Sequence, residues 1–191
     1  DGPPMARDGL EGEGGRLELL AVALAGDPDG NTTGVEAYDD AGQLVWRVET
    51  AKPAVAVKVA PDWVFAFGPA RSSTSDDDQG LLWGISLTGE LLWQEKLDGA
   101  YPVLTVADLD YDGTSEVLLG LKDTGGSSSL KCYSAGGELQ WELPVKDDVV
   151  DLALGDLAGD GSPEVLVGTW ASGDYGQLYV VDARGALSMA I

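Results

Sequence analysis

A turn-and-strand unit recurring every 47 or 48 residues, short apolar runs between Gly/Asp-rich turns, and 27 glycines among 191 residues predict an all-β fold. The fold so predicted is a β-propeller of four four-stranded antiparallel blades. The repeat is carried by residues 38–46, 85–93, 133–141 and 181–189. Each contains a turn glycine (Gly42, Gly89, Gly137, Gly185) and closes on Trp46, Trp93, Trp141 or Met189. Glycines and closing residues share the same spacings of 47, 48 and 48. The repeats run approximately over 1–50, 51–98, 99–146 and 147–191. They form a single domain over 1–191 that is four-bladed or part of a larger propeller.

The elements follow in chain order. In the first repeat an apolar innermost strand is expected ahead of Glu18, yet Asp1-Gly-Pro-Pro-Met-Ala-Arg7 stands there, and its prolines lack backbone donors. That strand is expected to be poor or missing, leaving an edge for another chain to complete. The second repeat offers strands at 54–60, 63–67, 81–86 and 91–97. The third offers 103–107, 116–121, 130–134 and 139–145, and the fourth 149–154, 164–169, 178–182 and 187–191. Connections at 26–34, 68–80, 122–129 and 170–177 are polar and differ in length, as exposed rim loops do. Trp170 and Tyr175 lie in one of them as candidates to stack on a ligand such as a sugar. Asn31-Thr32-Thr33 in another matches the N-glycosylation pattern. Asp76, Asp77 and Asp78 read as solvated charge, and the three closing tryptophans as core between blades.

Thirty-three acidic residues against 11 basic ones give a net charge of −22 and a pI near 4.1, and the chain has no histidine. Missing imidazole excludes His-dependent nucleophilic catalysis and His-ligated metals, and argues against an enzyme. The charge repels phosphate backbones and anionic lipid, so no nucleic-acid partner is expected. No membrane insertion is expected either, because the longest apolar stretch, near residues 19–25, is too short to span a bilayer. Cys132 is the sole cysteine and cannot form an intramolecular disulfide. The opening Asp1 reads as the start of a processed or trimmed chain.

Part of the acidity is patterned. The third repeat contains Asp108-Leu-Asp110-Tyr-Asp112-Gly113-Thr114-Ser-Glu116. Carboxylates at positions 1, 3 and 5 converge when a glycine at position 6 turns the chain sharply, and a hard cation makes that convergence tolerable. Calcium, with six to eight oxygen ligands, is the expected ion. Asp108, Asp110, Asp112, the Thr114 carbonyl and Glu116 are its candidate ligands. Glu116 opens a strand rather than a helix, so the loop is not an EF-hand. The fourth repeat carries Asp156-Leu-Ala158-Gly-Asp160-Gly161-Ser162-Pro-Glu164, with Asp156, Asp160, Ser162 and Glu164 as ligands. Ala158 removes the second carboxylate, so weaker binding is expected there. The second repeat shrinks to Ala60-Pro-Asp62 and has no site; in the first, Asp8, Glu11 and Glu13 read as a merely acidic loop.

The runs Val106-Ala-Asp-Leu-Asp-Tyr-Asp-Gly-Thr-Ser-Glu-Val-Leu-Leu-Gly120 and Leu154-Gly-Asp-Leu-Ala-Gly-Asp-Gly-Ser-Pro-Glu-Val-Leu-Val-Gly168 resemble FG-GAP/VCBS-type repeats, also found in the heads of integrin α-chains. The Gly-x-Leu-x-Trp strand ends look like those of PQQ-type propeller repeats. The resemblance implies calcium ligation by Asp108, Asp110, Asp112 and Glu116. It also implies a secreted or cell-surface protein that binds or scaffolds without catalysis. The expected partners are calcium and an extracellular protein or polysaccharide. Two other readings stand beside this one: a self-assembling fibre or surface-layer subunit forming homo-oligomers or filaments, and a carbohydrate-binding or polysaccharide-active domain.

Overall fold

The computed structural model describes residues 7–11, 17–24, 33–69, 79–97, 100–122, 128–171 and 176–191. Asn31, Tyr175, Glu13 and Asp76–Asp78 lie outside the described residues. Among the described residues sixteen strands form four four-stranded sheets, each an antiparallel meander in chain order. The chain divides into two compact units, Asp1–Leu97 and Asp98–Ile191.

The first unit holds blade one, β1 (Arg7–Glu11), β2 (Leu17–Leu24), β3 (Gly34–Tyr38) and β4 (Leu44–Glu49). Blade two comprises β5 (Ala56–Val59), β6 (Trp63–Gly68), β7 (Gly80–Ser86) and β8 (Leu91–Leu97). β1 corrects the expectation of a missing innermost strand. Arg7–Glu11 pairs with β2, Arg7 opposite Val22 and Leu10 opposite Leu19, and the register shifts between Leu10 and Glu11. Asp8 and Glu11 therefore sit on a strand rather than in an acidic loop. Between β5 and β6 the chain reverses at once, Ala60 N–H donating to the Trp63 carbonyl at 2.8 Å, which leaves no room for a carboxylate loop.

The second unit holds blade three, β9 (Ala100–Ala107), β10 (Glu116–Lys122), β11 (Ser128–Tyr133) and β12 (Leu139–Val145). Blade four comprises β13 (Asp148–Gly155), β14 (Glu164–Trp170), β15 (Leu178–Val181) and β16 (Leu187–Ala190).

Apolar residues on middle strands build the core. Val64, Phe65, Ala66 and Phe67 in β6 and Val117, Leu118 and Leu119 in β10 are fully buried, so both faces of these strands are covered. Each such large side chain contributes roughly 1.5–3 kcal/mol on burial. In the first unit Val35 and Ala37 of blade one pack with Val57, Val64 and Trp83 of blade two. In the second, Leu118, Leu130 and Cys132 of blade three pack with Val149, Val165 and Val167 of blade four. The outermost strands are largely exposed, and those of blades one to three carry charge, including Arg47, Glu95, Lys96 and Glu142, which discourages edge-to-edge pairing.

The outer hairpins explain the repeat. In each, a side chain caps the turn by accepting from the N–H four residues further on. Asp39 Oδ1 accepts from Gln43 N–H, Ser86 Oγ from Glu90 N–H, Ser134 Oγ from Glu138 N–H and Asp182 Oδ1 from Ala186 N–H. The turn glycines have φ of 74°, 84°, 85° and 82°, a left-handed conformation that β-carbons resist. In every blade a register shift follows, and the residue on its far side is Trp46, Trp93, Trp141 or Met189. Trp46 then reaches the next blade, its Nε1–H donating to the Leu87 carbonyl at 2.9 Å while its ring lies against Gly89. Trp141 repeats this with the Ala183 carbonyl at 3.0 Å and Gly185.

Candidate metal centre

Ala107 of β9 lies opposite Glu116 of β10, so residues 108–115 must reverse the chain between them. Tyr111 and Gly113 do this in left-handed conformations, φ 60° and 91°. Gly159 and Gly161 adopt φ 71° and 91° at the same positions of the fourth-blade loop, so the two loops share a backbone course. The tightened turn aims backbone donors inward: Gly113 N–H to Asp108 Oδ2 at 3.0 Å, and Asp112 N–H to Asp110 Oδ1 at 3.1 Å. From the strand side Glu116 accepts the buried Leu109 N–H at 2.8 Å.

One carboxylate oxygen from each of Asp108, Asp110 and Glu116 comes within 4.8 Å of the others, the one such group among the described residues. Asp112 stands outside it. Its Oδ1 accepts from both the N–H and the hydroxyl of Thr114, each at 2.7 Å, and these bonds, the hydroxyl's first, hold its carboxyl below the usual range. Burial pushes the Glu116 carboxyl up, the Leu109 N–H opposes that shift, and the charges of Asp110, Asp112 and Asp108 add to it.

Asp108 Oδ1 is the telling atom: it is buried and accepts no hydrogen bond. Leaving a buried acceptor unsatisfied costs about 1–3 kcal/mol, and more when it is charged. Two like charges 4 Å apart repel by about 4 kcal/mol at an effective dielectric of 20. An oxygen-seeking divalent cation held by Asp108, Asp110 and Glu116 would remove both penalties, and three hard carboxylate donors suit calcium better than a soft metal. The residues fit the ion.

The fourth-blade loop is different. Asp156 Oδ1 accepts from Gly159 and Asp160 N–H at 2.7 and 3.1 Å, and Asp156 Oδ2 from Gly161 N–H at 3.0 Å. Glu164 Oε2 accepts from Leu157 and Ala158 N–H at 2.6 and 3.2 Å, and Asp160 Oδ1 from Ser162 N–H at 2.8 Å. With no carboxylate at Ala158, the loop's own amides engage both oxygens of Asp156. The two loops meet through Tyr111, whose hydroxyl donates to the Gly161 carbonyl.

A cleft of about 660 Å³ opens beside these loops within the second unit. Cys132 lines it, and burial, reinforced by the Glu116 and Asp110 charges, pushes its thiol up to about 12. Iodoacetamide at pH 8 is expected to leave Cys132 unmodified in the native protein and to label it in urea; rapid native labelling would contradict this burial. Of the other candidates, Trp170 is 55% exposed at the end of β14 and does not line the cleft. Arg184, which does, was not singled out by the sequence reading, although it is the one basic residue within the four glycine turns.

Fold and loops together define a β-propeller with carboxylate loops on its strand connections. The structural likeness supports the fold. The structure of BBS1N in complex with ARL6DN matches with a TM-score of 0.57 at 15% identity, over 98% of this chain and 64% of that one. BamB from Moraxella catarrhalis matches with a TM-score of 0.56 at 15% identity, over 97% of this chain and 52% of that one. The chain thus spans about two thirds and one half of the lengths of these two proteins. No protein-family model matches it, and no curated protein matches it in sequence.

Proposed function

We propose that this chain is a non-catalytic, calcium-stabilised propeller module of the FG-GAP/VCBS type that acts outside the cell as a binding or structural scaffold. The observation that carries the reading is the convergence of Asp108, Asp110 and Glu116 around the unsatisfied Asp108 Oδ1. Asp112 and Thr114 close that loop, while Asp156, Asp160, Ser162 and Glu164 form a weaker second site that must first release its own amides. Lack of histidine supports a role without catalysis, and calcium-rich surroundings suit a chain of charge −22. That BBS1N was crystallised with ARL6DN supports a protein partner for a propeller of this kind.

Calorimetric titration with calcium chloride tests the site. One tight binding event and one weaker event are expected. Asp110→Ala should weaken the tight event by more than about tenfold, since affinity follows the number of charged ligands. An unchanged tight event in this variant would remove the third-blade loop from the calcium site.

A further inference from the structure

The cleft beside the third-blade loop has a chemistry of its own. Asp112 is not one of the three converging carboxylates and spends only Oδ1 on Thr114. Gln140 and Arg184 line the same cleft, and Arg184 makes no ion pair among the described residues. Tyr111, 63% exposed, and Trp141 supply aromatic surface, and Trp141 is anchored by its bond to Ala183. About 660 Å³ falls in the range of small-ligand sites, ~300–1,000 Å³.

We infer that this cleft binds a neutral saccharide. Sugar hydroxyls donate and accept, and they need both kinds of partner side by side. Asp112 only accepts, Arg184 only donates, and Gln140 does both. The apolar C–H face of a hexose packs on aromatic rings such as Tyr111 and Trp141. A uronate would meet Arg184 favourably but also Asp112, whose charge stays outside the cation cluster, within a chain of net charge −22. A neutral sugar meets no such repulsion. The site differs from Trp170 and Tyr175, the sequence candidates for sugar stacking. It deepens the binding-module reading and rests on it, but its contacts come from groups outside the converging carboxylates.

The test measures binding of neutral hexose oligosaccharides, with glucuronate-containing ones in parallel, by calorimetry in calcium; the calcium-induced rise in thermal midpoint is recorded on the same proteins. The wild type is expected to bind neutral oligosaccharides. Arg184→Ala should weaken binding roughly tenfold or more and Gln140→Ala roughly two- to tenfold, as loss of a charged and of a neutral hydrogen bond does. Both positions face solvent in the cleft, and an unchanged calcium response shows that the variants fold. No binding by the wild type, binding confined to glucuronate-containing sugars, or loss on Trp170→Ala with Arg184→Ala unaffected would each overturn the inference. Glycan binding without a calcium response sinks the calcium reading alone; a calcium response without glycan binding sinks this one alone.

Discussion

Calcium is expected to raise the thermal midpoint of the wild-type chain, and Glu116→Gln to abolish that rise while raising the midpoint measured in chelator. A ligand present at 100 times its Kd stabilises the folded state by about 2.7 kcal/mol. For a domain of this size each kcal/mol moves the midpoint about 2–4 °C, so a rise of roughly 5–10 °C is expected. Without calcium, Glu116 is a buried carboxyl facing three other acids, which disfavours its charged form in the fold. Its folded pKa lies above the ordinary value of 4.5. The penalty is therefore absent below that value and grows as pH rises through the folded pKa. The cation-free wild type should lose stability over this window, and the glutamine variant should lose less. The amide introduced by Glu116→Gln retains an acceptor for Leu109 N–H, so the loop keeps its strand-side anchor. A Glu116→Gln protein that still responds fully to calcium would place the ion elsewhere.

Gly89→Ala is expected to cost about 2–5 kcal/mol, against about 1–2 kcal/mol for Gly42→Ala. Both glycines occupy the same turn position with similar left-handed φ, 84° and 74°, so the backbone penalty is shared. A β-carbon at Gly42 meets nothing within 4 Å, whereas one at Gly89 falls 2.6 Å from Trp46 Cγ. That ring cannot retreat freely, because its Nε1–H is bonded to the Leu87 carbonyl. Forcing atoms into packed space adds roughly 1–3 kcal/mol. Urea unfolding of the two variants isolates the ring contact; equal losses would show that Trp46 does not impose the glycine.

The legible features were local ones. The glycine turns, the closing tryptophans and the carboxylate spacing each depend on residues a few positions apart, and each lies where the sequence places it. β1 was not legible: Arg7-Asp-Gly-Leu-Glu11 has little apolar alternation, and it is a strand because β2 offers an edge to pair with. Nor did spacing distinguish Asp112, turned to Thr114, from the three converging carboxylates, since a side chain's rotation about its own bonds leaves no trace in a motif.

The sequence by itself determined the four-blade all-β plan, because a fixed period with left-handed glycines and inward apolar strands admits few other packings. It also determined that the carboxylates would gather in loops between paired strands. Only the tertiary structure decided how each loop satisfies its charges. Asp156 engages both oxygens with the loop's amides, while Asp108 keeps one buried oxygen unmet. Only packing of the fourth blade on the third brought Arg184, some 70 residues along the chain from Asp112, to the same cleft. Both outcomes depend on where atoms lie once distant segments meet, and one-dimensional spacing does not encode that.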